Sequence, residues 1–320
     1  MFKFRHIFEP PSVSEEREFE RVNVTAKLER YLRTNPLDRF ATDEAYRNKV
    51  ELIERNLGSI RGPILDIGGN TAGEATILQQ RGFRMVVGDI NESALDISRQ
   101  RVEKFGLRSP DYVALDAHHL PFRDASFSAV TVIEALHHFV EYDRVLGEIH
   151  RVLKPGGRLF SAEPNSLNPI RRASEVRDRL RGTIEKSFYA GELRRMCEKA
   201  GFAPVTVKPF AHGKSSWKME EVPVYRRSAA RFHGWLSHTF PVIFGSHALV
   251  AEKGGGAENP NPEVDLRELL CSPVNGESLR FDPELKRWVE TGSGGSFPDF
   301  NGIPVLIAED RQMLGAPNRA

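Results

Sequence analysis

Residues 63–73 read PILDIGGNTAG, an apolar lead into Asp66 followed by the pair Gly68–Gly69 and then a chain with helical spacing. A buried strand, a tight turn and a helix start, in that order, is how an α/β protein cradles a nucleotide-like ligand. Glycine there lets the backbone approach the ligand and take up φ > 0, where a Cβ would clash. Turns of this kind serve many nucleotides, so the flanking sequence must narrow the choice.

Working outward, strands and helices alternate. Expected strands are Pro63–Ile67, Arg84–Asp89, Tyr112–Leu115, Phe127–Ile133, Arg158–Glu163, Pro204–Pro209 and Ser246–Glu252. Between them the spacing predicts helices over Gly73–Arg81, Glu92–Phe105, Val140–Leu153 and Ala190–Ala200. Ahead of the first strand, Ala45, Tyr46, Val50, Ile53 and Leu57 repeat at helical spacing until Gly58. The early strands are apolar on both faces (MVV, AVTVI), as a parallel sheet covered by helices requires. The expectation is a doubly wound α/β sheet. Two stretches break the alternation and are expected as irregular insertions at the sheet's C-terminal edge. Residues 164–186 carry Arg171, Arg172, Arg177, Arg179 and Arg181, and residues 211–241 carry Trp217, Tyr225, Phe232 and Trp235.

The 320 residues are 40% hydrophobic and 28% charged with a net charge of +1, which suits a globular core and gives no broad field for nucleic acid. Two cysteines, Cys197 and Cys271, can build neither a disulfide framework nor a four-thiolate metal site. The N-terminus MFKFRHIFEPP lacks a sustained apolar segment, and no run of about 18 apolar residues occurs, so a cytoplasmic location without a membrane span is expected.

Asp89 closes the second strand in VVGDINESAL, where a carboxylate can accept both hydroxyls of a ribose; the alternative is a cap for the next helix, a role open to Asn91 or Ser93. Asp116, just after the third strand, can accept from an exocyclic amine such as that of adenine, or serve as a turn aspartate. Taken in order, LDIGG, GDI, DAHHLPF, FSAVTVIEALHHF and HRVLKPGGRL resemble the class I S-adenosylmethionine-dependent methyltransferases, in particular the branch acting on small molecules and lipids. The resemblance covers residues 43–253 and implies a seven-stranded Rossmann-like sheet whose last strand is antiparallel. It also implies cofactor roles: Asp66, Gly68, Gly69 and Asn70 along methionine and ribose, Asp89 and Ile90 at ribose and adenine, Asp116 and Ala117 at the adenine edge, and Glu134 facing the sulfonium. The family prefers glycine at two loop positions held here by Asn70 and Ala72; the change at Ala72 is slight provided its φ is negative.

Methyl transfer is an in-line displacement in which the protein chiefly aligns donor and acceptor, and an oxygen or nitrogen acceptor must also lose a proton. Glu134, His137 and His138 are the candidate catalytic residues, with His118, His119 and Glu163 near the same crevice; one of His137 and His138 is expected to pack under the sheet edge. Glu163, Asn165, Arg171 and Tyr189 are candidate substrate contacts, the arginines being equally readable as a solvated helix face and Tyr189 as core. The expected activity is methyl transfer from S-adenosylmethionine, leaving S-adenosylhomocysteine, to a small or lipid-like acceptor at oxygen. Rivals are an RNA or protein methyltransferase and a cofactor-binding scaffold without catalysis.

The chain divides into an N-terminal extension or lid (1–42), the methyltransferase domain (43–253), a linker (254–265) and a small unit (266–320). LRELLCSPVNGESLRF and SFPDFNGIPVLIAED in the last unit resemble the zinc-ribbon-like activator subunits of methyltransferases. Zinc forms need two C-x-x-C knuckles, and Cys271 stands alone, so no metal is expected. A β-rich unit of this size should dock on the large domain, or pair its apolar last strand across a homodimer.

Overall fold

The computed structural model describes residues 28–60, 62–179, 186–211, 232, 234–256 and 264–314. Trp217, Tyr225, Arg181 and residues 1–27 of the N-terminal extension lie outside them. Three helices come first: α1 (Leu28–Arg33), α2 (Pro36–Thr42) and α3 (Glu44–Leu57). Asp43 caps α3 by accepting from the amides of Ala45 and Tyr46, and Gly58 ends it at φ 58°. Its buried stripe is Tyr46, Val50, Ile53 and Leu57.

Strands and helices then alternate as the apolar runs require: β1 (Pro63–Ile67), α4 (Gly73–Gln80), β2 (Arg84–Asp89), α5 (Glu92–Lys104), β3 (Asp111–Leu115), β4 (Phe127–Ile133), α6 (Tyr142–Val152), β5 (Leu153–Pro164), α7 (Pro169–Arg179), α8 (Ala190–Lys199), β6 (Phe202–Phe210) and β7 (Ser246–Lys253). The order β6-β7-β5-β4-β1-β2-β3 is the doubly wound seven-stranded sheet expected from the sequence. Within it only β7 runs antiparallel to its neighbours, lying between β5 and β6. β1 is buried along its whole length, consistent with helices on both faces.

Two segments differ from expectation. β5 begins at Leu153, not Arg158, because Leu153 pairs with Phe127 and the register then jumps to Arg158–Ala129. The intervening KPGG is thus a bulge inside the strand, and a Cβ on Gly157 would meet the Lys154 carbonyl at 2.8 Å. The insertion after β5 is partly helical, since α7 occupies Pro169–Arg179.

The C-terminal unit contributes β8 (Leu279–Asp282), β9 (Arg287–Glu290), β10 (Gly295–Phe300), β11 (Ile303–Leu306) and β12 (Gln312–Met313). β11 lies parallel to β3, with Val305 opposite Ala114 and Leu306 opposite Leu115, so the unit docks in cis and lengthens the main sheet. Its apolar side chains join the existing cores: Trp288, Phe297 and Leu306 pack with Phe122, Val113 and Leu115 on one face, and Ile303, Val305 and Ile307 with Tyr112 and Ala114 on the other. A second seam runs along residues 121–123, where the Arg123 amide donates to the Leu269 carbonyl and the Cys271 amide to the Pro121 carbonyl, both at 2.9 Å.

Inside the C-terminal unit, the buried Glu290 carboxylate accepts from the Ser272 hydroxyl at 2.6 Å and from Arg311 at 2.6 and 3.0 Å. The Ser293 hydroxyl completes this polar knot. Among the described residues no group of histidines, cysteines and acids is arranged to hold a metal ion, and no helix is long and apolar enough to cross a membrane.

Candidate active site

A cavity of about 330 Å³ opens at the C-terminal ends of β1–β4. Its floor is the turn after β1. Gly68 sits at φ 71°, and a Cβ on it would meet that of Ala135 at 2.5 Å, so the turn and the segment after β4 are in contact only because residue 68 is glycine. Asn70 and Ala72 both lie in the left-handed region, at φ 48° and 50°. Asparagine accepts that conformation readily, whereas alanine carries a cost of ~1–2 kcal/mol. The condition under which Ala72 would be a slight change, a negative φ, is therefore not met.

Asp89 supports the turn from beneath. Its Oδ2 accepts from the Asn70 amide at 2.7 Å and its Oδ1 from the Asn91 amide at 2.9 Å. Burial raises its pKa, opposed by these amides. The next helix is capped by Asn91, which accepts from Ser93 and Ala94, so Asp89 is not spent as a cap. Asp66 lies lower still, its Oδ1 accepting from the Thr131 hydroxyl at 2.6 Å, and burial pushes its pKa up to about 7. Gly68, Gly69, Asn70, Asp89, Ile90, Asp116, Ala117 and Glu134 line the cavity; Asp66 underlies Gly69 instead.

Asp116 is held by the amide and Nδ1 of His118, at 2.9 and 2.7 Å, and by Nδ1 of His119 at 3.3 Å. His118 Nε2 faces the Val140 carbonyl at 2.9 Å. Both ring nitrogens thus meet acceptors, an arrangement satisfied only when both carry a proton; its pKa is accordingly raised, chiefly by Asp116.

Of the candidate catalytic residues, His137 is buried with Nδ1 2.8 Å from Glu163 Oε2 and does not line the cavity. His138, its ring tilted against that of His137 at 4.1 Å between centroids, does. Burial, then His137 and Arg171, push the His138 pKa down to about 3, so its ring is neutral and a weak base. Glu134 lines the mouth at φ 53° and pairs with Lys49 at 2.9 Å.

Two candidate substrate contacts, Glu163 and Asn165, are buried and hydrogen-bonded within the fold. Glu163 is fully buried because the segment after β4 folds over it, the amides of Leu136 and His137 donating to its carboxylate. Asn165 is buried, its side chain donating to the Val242 carbonyl at 2.8 Å and accepting from the Leu167 amide. Tyr189, just before α8, is half exposed and so is not core; among the described residues it does not line the cavity. Arg171 does not line the cavity among the described residues; its Nε lies 3.9 Å from Glu175 Oε1.

The sequence reading missed the wall supplied by α1–α3: Tyr31, Arg39, Tyr46 and Lys49. Lys49 bridges Glu74 at 2.8 Å and Glu134 at 2.9 Å. Burial works against its charge, but the two carboxylates together raise its pKa, and it in turn lowers that of Glu74. Arg101 on α5 is buried and donates to the Thr71 carbonyl, holding the far side of the turn.

Residues 65–161, from β1 into β5, match a family described as a methyltransferase domain. A demethylmenaquinone methyltransferase of Thermus thermophilus is 35% identical over 136 residues, covering 42% of this chain and 60% of that protein. A ubiquinone/menaquinone biosynthesis C-methyltransferase of Brucella anthropi is 31% identical over 184 residues, covering 48% of this chain and 70% of its own length. The chain thus spans about three fifths of the first relative and somewhat more of the second. Among solved structures, phosphoethanolamine N-methyltransferase 2 of Haemonchus contortus, in complex with S-adenosyl-L-methionine, superposes with a TM-score of 0.54 at 18% identity, covering 76% of this chain and 60% of that one. The [4+2]-cyclase SpnF does so at 0.55 and 19%, covering 78% and 99%. At such identities these two share the fold alone. With the matched family spanning the strands that form the cavity, and a relative matched over most of its length, the chain belongs to the S-adenosylmethionine-dependent methyltransferases.

Proposed function

We propose that the cavity binds S-adenosylmethionine and that the chain methylates a small, lipid-like acceptor at carbon. The observation that carries the cofactor half is the convergence of Asp89, Asp116 and the Gly68–Asn70 turn on one cavity at the strand ends. The donor set fits such a molecule. Asp89 keeps acceptor capacity beyond its amide bonds for a ribose diol, Asp116 keeps some for an amine, and Ile90, Leu115 and Ala117 offer an apolar slot between them. Arg39, Lys49 and Glu74 give the other end charges of both signs, as a zwitterionic amino-acid group requires.

When bound, the cofactor supplies an electrophilic methyl group on a positively charged sulfur. Glu134, paired with Lys49, stands at the mouth of the cavity. His138 bounds the acceptor side as a neutral imidazole too weakly basic to take a proton from an alcohol. Methylation at carbon also releases a proton, so His138 does not decide the acceptor atom; the relatives named C-methyltransferases support an electron-rich carbon over the oxygen expected from the sequence.

The test is transfer of a ¹³C-labelled methyl group to a reduced isoprenoid naphthoquinone, read by NMR. A carbon-bound methyl signal is expected; a methoxy signal would return the acceptor atom to oxygen. Absence of S-adenosylmethionine binding by calorimetry would overturn the cofactor assignment.

A further inference from the structure

One side chain, His118, joins the loop after β3 to the loop after β4 in the cavity wall. Its Nδ1 lies 2.7 Å from Oδ1 of Asp116, the carboxylate proposed above to meet adenine, and its Nε2 lies 2.9 Å from the Val140 carbonyl oxygen. Val140 stands where the loop after β4 runs into α6. On one side of it Phe139 lines the cavity beside Gly68; on the other Glu141 is held at φ 48°. The Phe139 ring meets the imidazole edge-on at 6.5 Å. The His118 side chain is only 12% exposed and Asp116 is buried, so water is a poor substitute for either bond.

Two acceptors on one ring demand two protons. A neutral imidazole has one N–H and one lone pair. It keeps the bond to the carboxylate, the stronger of the two, and turns its lone pair on the Val140 carbonyl, which must then move away. The charges around the ring are mixed. Asp116 is in contact, Glu141 lies at the start of α6, and Arg144 donates to the His118 carbonyl at 3.1 Å. His119 shares Asp116, its Nδ1 3.3 Å from Oδ2, and meets Arg144 with its other nitrogen. Asp89 also lines the cavity, while Asp143, Glu148, Arg151 and Cys271 line a second one of about 460 Å³ that has His118 in its wall too. The balance raises the His118 pKa above its ordinary 6.5, chiefly through Asp116.

We propose that His118 is a positioning residue for the cofactor: as an imidazolium it latches Asp116 to the Val140 turn and fixes the adenosine end of the cavity, which loosens when the ring loses its proton. The latch follows from the two contacts; its consequence for binding rests on the cofactor reading above. The cation is the state that makes both bonds, so affinity is highest below the His118 pKa and falls as pH rises through it. In return, a bound adenosine group raises that pKa.

The experiment uses the full chain and 5′-methylthioadenosine, which has the adenosine end and the sulfur but lacks the amino-acid group, whose own titration would confuse the result. ¹⁵N NMR of the ligand-free protein is expected to find both His118 ring nitrogens protonated at about pH 7, and the Val140 carbonyl ¹³C shift should follow the ring as it titrates. Calorimetry at one pH below that midpoint and one above it is expected to show binding about fivefold weaker at the higher pH. His118→Gln, with no proton to lose, should bind at both pH values about as weakly as wild type does at the higher one. A neutral ring at about pH 7 overturns the proposal, as does a wild-type affinity that is flat across the midpoint. An equal pH dependence in His118→Gln also overturns it and assigns the titration to another group, His119 first. Should that variant unfold, the wild-type profile and the NMR titration decide between these outcomes. A cationic His118 in a chain that binds neither 5′-methylthioadenosine nor S-adenosylmethionine leaves the latch standing and sinks the cofactor reading; binding that ignores pH does the reverse.

Discussion

The Asn70 amide donates to the Asp89 carboxylate at 2.7 Å, so the end of β2 holds up the turn that follows β1. The residue proposed to bind ribose is therefore also a strut of the turn. Asp89→Ala should weaken S-adenosylmethionine binding by ~1–3 kcal/mol through the lost acceptor, and lower the melting temperature because Asn70 and Asn91 lose their partner. Calorimetry and thermal melting read the two effects separately, and unchanged affinity would sink the ribose assignment.

Lys49 is the shared counter-charge of Glu74 and Glu134. Replacing it by methionine keeps the length of the side chain and leaves two carboxylates facing each other at the cavity. The expected loss is ~1–3 kcal/mol, below that of a fully buried pair because Glu134 is half exposed. Urea melts check this, and transfer activity should fall further than stability does. Wild-type turnover in Lys49→Met would show that Glu134 needs no partner.

Glu290 sets a pH dependence in the C-terminal unit. Hydrogen bonds from Arg311, then Ser272 and Ser293, hold its carboxyl down at about 2, against an ordinary value of 4.5. A depressed carboxylate stabilises the fold above its unfolded pKa, and that contribution disappears as pH falls through the folded one. The melting-temperature advantage of wild type over Glu290→Gln should thus be full above about pH 4.5 and shrink toward about pH 2. A gap that does not change with pH would mean that the variant acts through packing alone.

Leu306, on β11, is fully buried against the main core. Leu306→Ala should cost ~2–5 kcal/mol, and it should shift one cooperative transition instead of splitting it in two. An early, separate melting step in calorimetry would show the C-terminal unit to be an independent body.

The strands were legible because a parallel sheet covered on both faces writes itself as apolar runs, and PILDI and FSAVTVI are such runs. The KPGG bulge was not, because its glycines read as a turn and only the partner strand shows that pairing resumes at Leu153. The cavity floor followed from the turn and the carboxylates at the strand ends. Its wall did not. Lys49 lies one helical turn from Tyr46, at the margin of the buried stripe of α3, where a lysine reads as solvated; nothing local reveals that Glu74 and Glu134 await it. Glu163 misled for the opposite reason. A carboxylate at a strand end does aim at the crevice, but here the chain after β4 folds over it and uses it up.

The placement of β11 beside β3 also bears on how the chain is made. Residues near position 305 complete a sheet edge that opened near position 114, so the pairing joins segments far apart in sequence. Contacts of such long range form late and slow folding. During synthesis the methyltransferase strands emerge first, with the β3 edge and Phe122 uncovered, and stay so until residues 303–306 have left the ribosome. An unpaired edge of that kind invites association with other chains. Closing it in the newborn protein therefore depends on reaching β11: chains terminated before it should be the ones that aggregate.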